Sequence, residues 1–118
     1  MIKLRLQIFF SAIGCRNTEW VNNELHVDLP IGSNKSITLT VAQMNGGLRI
    51  RAPLAPGDLC RANELNKELY GGLRAAVTAQ EYIELLYDIP FCIVNSDIFE
   101  KVLSEVLIPI YIAAELYA

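Results

Sequence analysis

Three runs of strict alternation between Glu24 and Ala52 constrain this chain more than any other feature. Leu25, Val27, Leu29 and Ile31 alternate with Glu24, His26 and Asp28. Ile37, Leu39 and Val41 alternate with Ser36, Thr38 and Thr40, and Leu48, Ile50 and Ala52 with Arg49 and Arg51. A period of two with polar intervals describes a sheet buried on one face and wet on the other. Gly32-Ser33-Asn34 closes the first turn and Asn45-Gly46 the second, since Asn and Gly both tolerate positive φ in a tight hairpin. These runs predict a three-stranded antiparallel meander.

Ala52 to Asp58, with two prolines and a glycine, reads as the main break in the chain. Beyond it, Asp58 offers its carboxylate as a helix cap, Leu59, Ala62, Leu65 and Leu69 recur at helical spacing, and Gly71-Gly72 ends the run. Between Leu73 and Ile89 both periods fit. The density of Val, Ile, Tyr and Thr favours two strands turning near Ala79–Glu81, with pairing stopped at Pro90.

Ser96-Asp97 predicts the start of a last helix that carries Phe99, Val102, Val106, Ile110, Ala113 and Leu116 on one side, with a kink at Pro109. From Val106 onward its only charge is Glu115. A helix apolar nearly all round is buried on several sides. Leu107, Ile110, Tyr111 and Ala114 are therefore expected to extend its apolar surface past what one sheet can cover, as a dimer or partner surface.

The N-terminal segment stays open on residues alone. Ile2, Leu4, Leu6, Ile8 and Phe10 suit a strand, whereas Ile2, Leu6, Phe9, Phe10 and Ile13 make a helical stripe. Its outline, ending in Gly14-Cys15, also resembles a signal peptide before a lipid-modified cysteine. However, Lys3 and Arg5 interrupt it and the unbroken run Ile8-Phe9-Phe10 is shorter than the ~7 residues such a core needs. A lipoprotein tethered at Cys15 is the alternative to a cytoplasmic protein.

Across 118 residues, 53% are hydrophobic, 19% are charged and the net charge is −3. That excludes disorder and suits one domain spanning 1–118. The acidic balance argues against nucleic acid even though Arg49, Arg51 and Arg74 could cluster across strands. Cys15, Cys60 and Cys92, an odd count without a C-x-x-C pair, fit neither a disulfide framework nor a zinc site, and read as small buried hydrophobes in a reducing cytoplasm. His26 falls on the wet side of its strand, tied to no nucleophile.

Catalysis has few candidates: Glu81, Glu84 and Asp88 along one segment, and Arg49 with Arg51 on the wet face. Paired carboxylate chemistry needs a raised pKa on one member. Neither Gly46-Gly47 nor Gly71-Gly72 is followed by the Lys-Ser/Thr of a phosphate loop. A small enzyme with an unrecognised site is thus the weaker alternative, and no cofactor or metal is expected.

The order strand-strand-strand, helix, strand-strand, helix resembles the type III secretion chaperone-like fold, including its YbjN relatives. The likeness rests on Leu25-His26-Val27-Asp28-Leu29-Pro30-Ile31-Gly32 and on the helix Asp58–Tyr70 with Asn63 and Leu65-Asn66. Leu86-Tyr87-Asp88-Ile89-Pro90 and Ala113-Ala114-Glu115-Leu116 complete it. It is a likeness of pattern and order over nearly the whole chain. It implies a first helix and an α+β fold in which an open, twisted antiparallel sheet of about five strands is flanked by helices, in the order α-β-β-β-α-β-β-α. It further implies a cytoplasmic, homodimeric, non-enzymatic module that is chaperone- or regulator-like and holds an unidentified protein or peptide client, without nucleic acid or membrane as partner.

Overall fold

The computed structural model describes residues 2–32, 34–69 and 71–117. It is an α+β fold: one open antiparallel sheet of six strands, with helices on one face. In chain order the elements are α1 (Ile2–Ala12), β1 (Arg16–Val21), β2 (Glu24–Ile31), β3 (Lys35–Met44), β4 (Gly47–Pro56) and α2 (Leu59–Asn66). There follow β5 (Arg74–Val77), β6 (Tyr82–Pro90), the single turn α3 (Phe91–Val94) and α4 (Phe99–Tyr117). The strands lie in the order β1-β2-β3-β4-β6-β5.

The alternating runs become β2, β3 and β4 with the expected faces. Val27 stands opposite Leu39, and Val41 opposite Ile50, all buried; His26, Thr40 and Arg51 form a register row on the other face. Asn45-Gly46 does link β3 to β4, between the paired residues Met44 and Gly47. Neither residue takes the positive φ that the sequence suggested, and the Gly46 carbonyl instead accepts from the Phe91 N–H at 3.1 Å. Of the first turn, Ser33 lies outside the described residues; Gly32 has φ 64°.

β1 is the strand that alternation did not announce. Its only large apolar residue on the core face is Trp20, opposite Leu25, and its register shifts between Arg16 and Glu19, so the period breaks. Asn17 sits at φ 53° within that irregularity, and Asn22 at φ 58° makes the tight turn into β2. A bulge of this kind bends an edge strand away from further pairing.

The expected break at Ala52–Asp58 is corrected: β4 continues to Pro56. Its pairing with β3 ends at Arg51, while pairing with β6 runs on through Pro53 opposite Glu84 to Pro56 opposite Tyr82. The prolines are tolerated because β3 has already left that side, so fewer ladder bonds require an N–H there.

α2 is capped as predicted, with Asp58 Oδ1 accepting from the Arg61 N–H at 3.0 Å. It ends at Asn66, short of Gly71-Gly72; Tyr70 lies outside the described residues, and Leu59 is exposed rather than inward. The hairpin over 73–89 forms as β5 and β6, turning through Glu81 at φ 56°.

The first element is a helix, as the resemblance implied. α1 buries Leu6 and Phe10 completely, worth about 1.5–3 kcal/mol each. Arg5 of α1 reaches Glu100 of α4 at 2.7 Å and lies over the Phe99 ring at 5.2 Å.

The expected start at Asp97 moves to Phe99, after the unforeseen turn α3. Ser96 Oγ bridges the two helices, donating to the Ile93 carbonyl at 2.6 Å and accepting from the Ile98 N–H at 3.3 Å. α4 then runs through Pro109 as one element.

Candidate functional site

The last helix was expected to present Leu107, Ile110, Tyr111 and Ala114 as a surface. Three of these are corrected: Leu107, Ile110 and Ala114 are at most 7% exposed and belong to the core with Phe99, Leu103, Val106 and Ala113. These residues recur every three or four positions, and together they form the face laid against β2 and β4. Tyr111 stands at the boundary, 37% exposed, and its hydroxyl accepts from the Gly32 N–H at 3.4 Å. That bond ties α4 to the β2–β3 turn.

The apolar side that remains outside is Ile108, Ile112 and Leu116, at 57, 53 and 77% exposure. Four-residue spacing puts them in one row. The sequence carried this signal as plainly as the inward one. Placing Leu116 inward concealed it, because a helix apolar all round offers two rows that look alike until the sheet selects one.

Next to that row, α2 and the second half of α4 enclose an open groove of about 420 Å³. On the α2 side it is lined by Leu65 and Leu69, with Arg61 and Glu68 among the lining residues. On the α4 side it is lined by Pro109, Ile112, Ala113, Leu116 and Tyr117. The Arg61 guanidinium lies over the Tyr117 ring at 5.4 Å. A proline inside a helix leaves the carbonyl four residues back without its ladder donor, which here is that of Glu105.

The opposite face of the sheet brings the charged candidates together. Arg49 donates to Asp88 through Nε at 2.7 Å and Nη2 at 3.1 Å; Arg74 reaches the same carboxylate at 3.4 Å, and Arg51 reaches Glu84 at 3.4 Å. The three arginines do cluster across β4, β6 and β5, but each faces a carboxylate. Hydrogen bonding from Arg49 holds the Asp88 carboxyl below its ordinary range, opposite to the raised pKa of a proton donor. Glu81 stands apart in the β5–β6 turn. His26 lies on the wet face as predicted, 3.4 Å from Glu24.

The cysteine expectation holds for Cys15 alone; Cys60 and Cys92 are exposed free thiols. Burial, with the Asp28 carboxylate adding, pushes the Cys15 thiol up to about 11. Asp28 itself accepts from Asn17 Nδ2 at 2.6 Å and Thr38 Oγ1 at 3.0 Å.

No group of three or more metal-ligating side chains gathers among the described residues, and no described helix is long and apolar enough to cross a membrane. No family model, curated protein or solved structure matches the chain.

Proposed function

We propose that the protein is a non-enzymatic, homodimeric protein-binding module of the cytoplasm, chaperone- or regulator-like, whose groove between α2 and α4 takes an apolar segment of a client. The groove carries the reading. It joins a floor of aliphatic side chains to one stacked cation and one carboxylate, the mix with which proteins hold apolar segments in register. The charged groups best placed for chemistry are engaged in ion pairs across the sheet. Two exposed free thiols suit a reducing compartment. Tethering through Cys15 fits the packing poorly: a chain cut before that residue would lose Leu6 and Phe10 from its core.

The test is affinity capture from the native host with mass-spectrometric identification, comparing the unaltered protein with Leu116→Asp and with Arg49→Ser on the far face. Leu116 is highly exposed, so its replacement spares the core. A partner retained by Arg49→Ser and lost with Leu116→Asp supports the groove. A partner set that Leu116→Asp leaves unchanged overturns it.

A further inference from the structure

We propose that Asn45 is a site of spontaneous covalent modification, where the chain closes on itself as a cyclic imide and reopens as aspartate or isoaspartate. Asn45 is the one asparagine of the sequence that a glycine follows, and Asn45-Gly46 forms the exposed tip between β3 and β4. Among the described residues its carboxamide makes no hydrogen bond, and the Gly46 N–H finds no acceptor. Nothing stands within 4 Å of the place a Cβ of Gly46 would occupy, so that side of the nitrogen is open. Glycine also leaves the peptide free to turn toward the carboxamide carbon.

The other asparagines each lack one of these conditions. The Asn17 carboxamide donates to Asp28, and that of Asn66 is held on both sides by Ala75. Asn63 lies inside α2, and the N–H that follows Asn95, that of Ser96, donates to the Ile93 carbonyl at 3.0 Å. Asn22, Asn23 and Asn34 precede Asn23, Glu24 and Lys35, whose side chains hinder the approach of their own nitrogens. Asparagine is thermolabile in general; here the fold leaves one member of the set unprotected.

The Gly46 nitrogen gives its proton to solvent and bonds to Cγ of Asn45, and the Cγ–Nδ2 bond breaks with release of ammonia. Water then opens the imide at one of its two carbonyls and returns a proton to the Gly46 nitrogen. One water is consumed, and nothing is oxidised or reduced. Opening at the main-chain carbonyl carbon leaves the side-chain linkage as the backbone, so isoaspartate lengthens the chain by one methylene and adds a negative charge. That length has little room. Gly47 is fixed against the Ile89 carbonyl, and the Gly46 carbonyl holds the Phe91 N–H at 3.1 Å. The added link therefore falls on Gly46 and draws its carbonyl away from Phe91, freeing the first N–H of α3.

Incubating the purified full chain warm at neutral pH in ¹⁸O-water tests this. Digestion and mass spectrometry with electron-transfer fragmentation then locate the label and separate isoaspartate from aspartate. The label should enter at position 45 at least tenfold faster than at any other asparagine, in both isomers. Gly46→Ala should slow that entry at least tenfold, since a Cβ obstructs the nitrogen, while circular dichroism stays unchanged. Aged protein enriched in isoaspartate should exchange the Phe91 amide faster than fresh protein. Freshly prepared Asn45→Asp carries the charge without the added methylene and should exchange it at the original rate. An Asn45 that keeps its amide in the folded chain while converting in urea overturns the inference. So does label that enters first at Asn34 or Asn95, or an entry rate that Gly46→Ala leaves unchanged. Loosening of Phe91 by Asn45→Asp as large as that by isoaspartate overturns the account of backbone lengthening.

Discussion

The side chain of Asn66 at the end of α2 closes the β5 edge of the sheet by pairing with both backbone groups of Ala75. Its Oδ1 accepts from the Ala75 N–H at 2.7 Å and its Nδ2 donates to the Ala75 carbonyl at 3.0 Å. A carboxamide offers one donor and one acceptor in the spacing of a peptide group, so Asn66 occupies the place a seventh strand would take. Asn66→Ala should cost about 1–3 kcal/mol, two net hydrogen bonds. Asn66→Asp should cost at least as much, because a carboxylate oxygen would face the Ala75 carbonyl. Urea denaturation gives the stabilities, and faster amide exchange at Ala75 in both variants would show that the edge has opened.

Thiol accessibility separates the three cysteines. Cys60 and Cys92 are exposed, whereas Cys15 is buried with its thiol pushed up to about 11. Iodoacetamide at neutral pH should add two groups to the folded protein and three in denaturant, since only the thiolate of an accessible cysteine reacts. Mass spectrometry counts the adducts. Three fast additions under native conditions would contradict the burial of Cys15.

Most of the central sheet was legible because each of its residues states one of two faces. β2, β3 and β4 have one face on the core and one in water, so alternation reports them directly. β1 was not legible: with Trp20 as its one inward apolar side chain and a bulge at Asn17, it lacks a period to read. Pro53 and Pro56 suggested a break because proline denies a ladder bond, and only the early departure of β3 makes them harmless. The groove residues Leu65 and Leu69 were visible as a helical stripe, but its far wall depended on which row of α4 turned outward. Ile108-Ile112-Leu116 and Val106-Ile110-Ala113 are equally apolar, and the choice between them is made by contact with β2 and β4, not by the helix itself.

Acid should loosen the molecule through two ion pairs. Hydrogen bonding from Arg5 lowers the pKa of Glu100, and from Arg49 that of Asp88. A carboxylate with a depressed folded pKa adds stability that is present above its unfolded value, and loses it as pH falls through the folded one. Stability should therefore decline below about pH 4, where unfolded carboxylates begin to protonate. Urea midpoints between pH 6 and pH 2.5 test this. Glu100→Gln and Asp88→Asn should each flatten the acid limb, and a limb unchanged in both variants would place the acid sensitivity elsewhere.

Gly47 is required by close approach rather than by an unusual φ. It pairs with Pro90 where β4 meets β6, and a Cβ there would overlap the Ile89 carbonyl oxygen and crowd the Pro90 Cα. Both obstacles are backbone, so no rotamer change can clear them. Gly47→Ala should cost about 1–3 kcal/mol or more, the usual penalty of overpacking. Gly46→Ala next to it meets open space and should stay within about 0.5 kcal/mol. Thermal melts of the pair give the contrast, and equal effects would contradict the register drawn for β4 and β6.

The two rows of α4 can be told apart by paired truncations. Ile110 is fully enclosed among core side chains, so Ile110→Ala leaves a cavity and should cost about 2–5 kcal/mol. Ile108, two positions earlier and more than half exposed, loses little packing within the protomer, and Ile108→Ala should change intrinsic stability by about 0.5 kcal/mol or less. Measuring each variant over a range of protein concentrations isolates what association adds. Unfolding of the unaltered chain and of Ile110→Ala should shift with concentration, as linkage to dimerisation demands. Ile108→Ala should keep the stability of the unaltered protein at high dilution. A large loss from Ile108→Ala at high dilution would mean that the outer row of α4 is packed within the protomer.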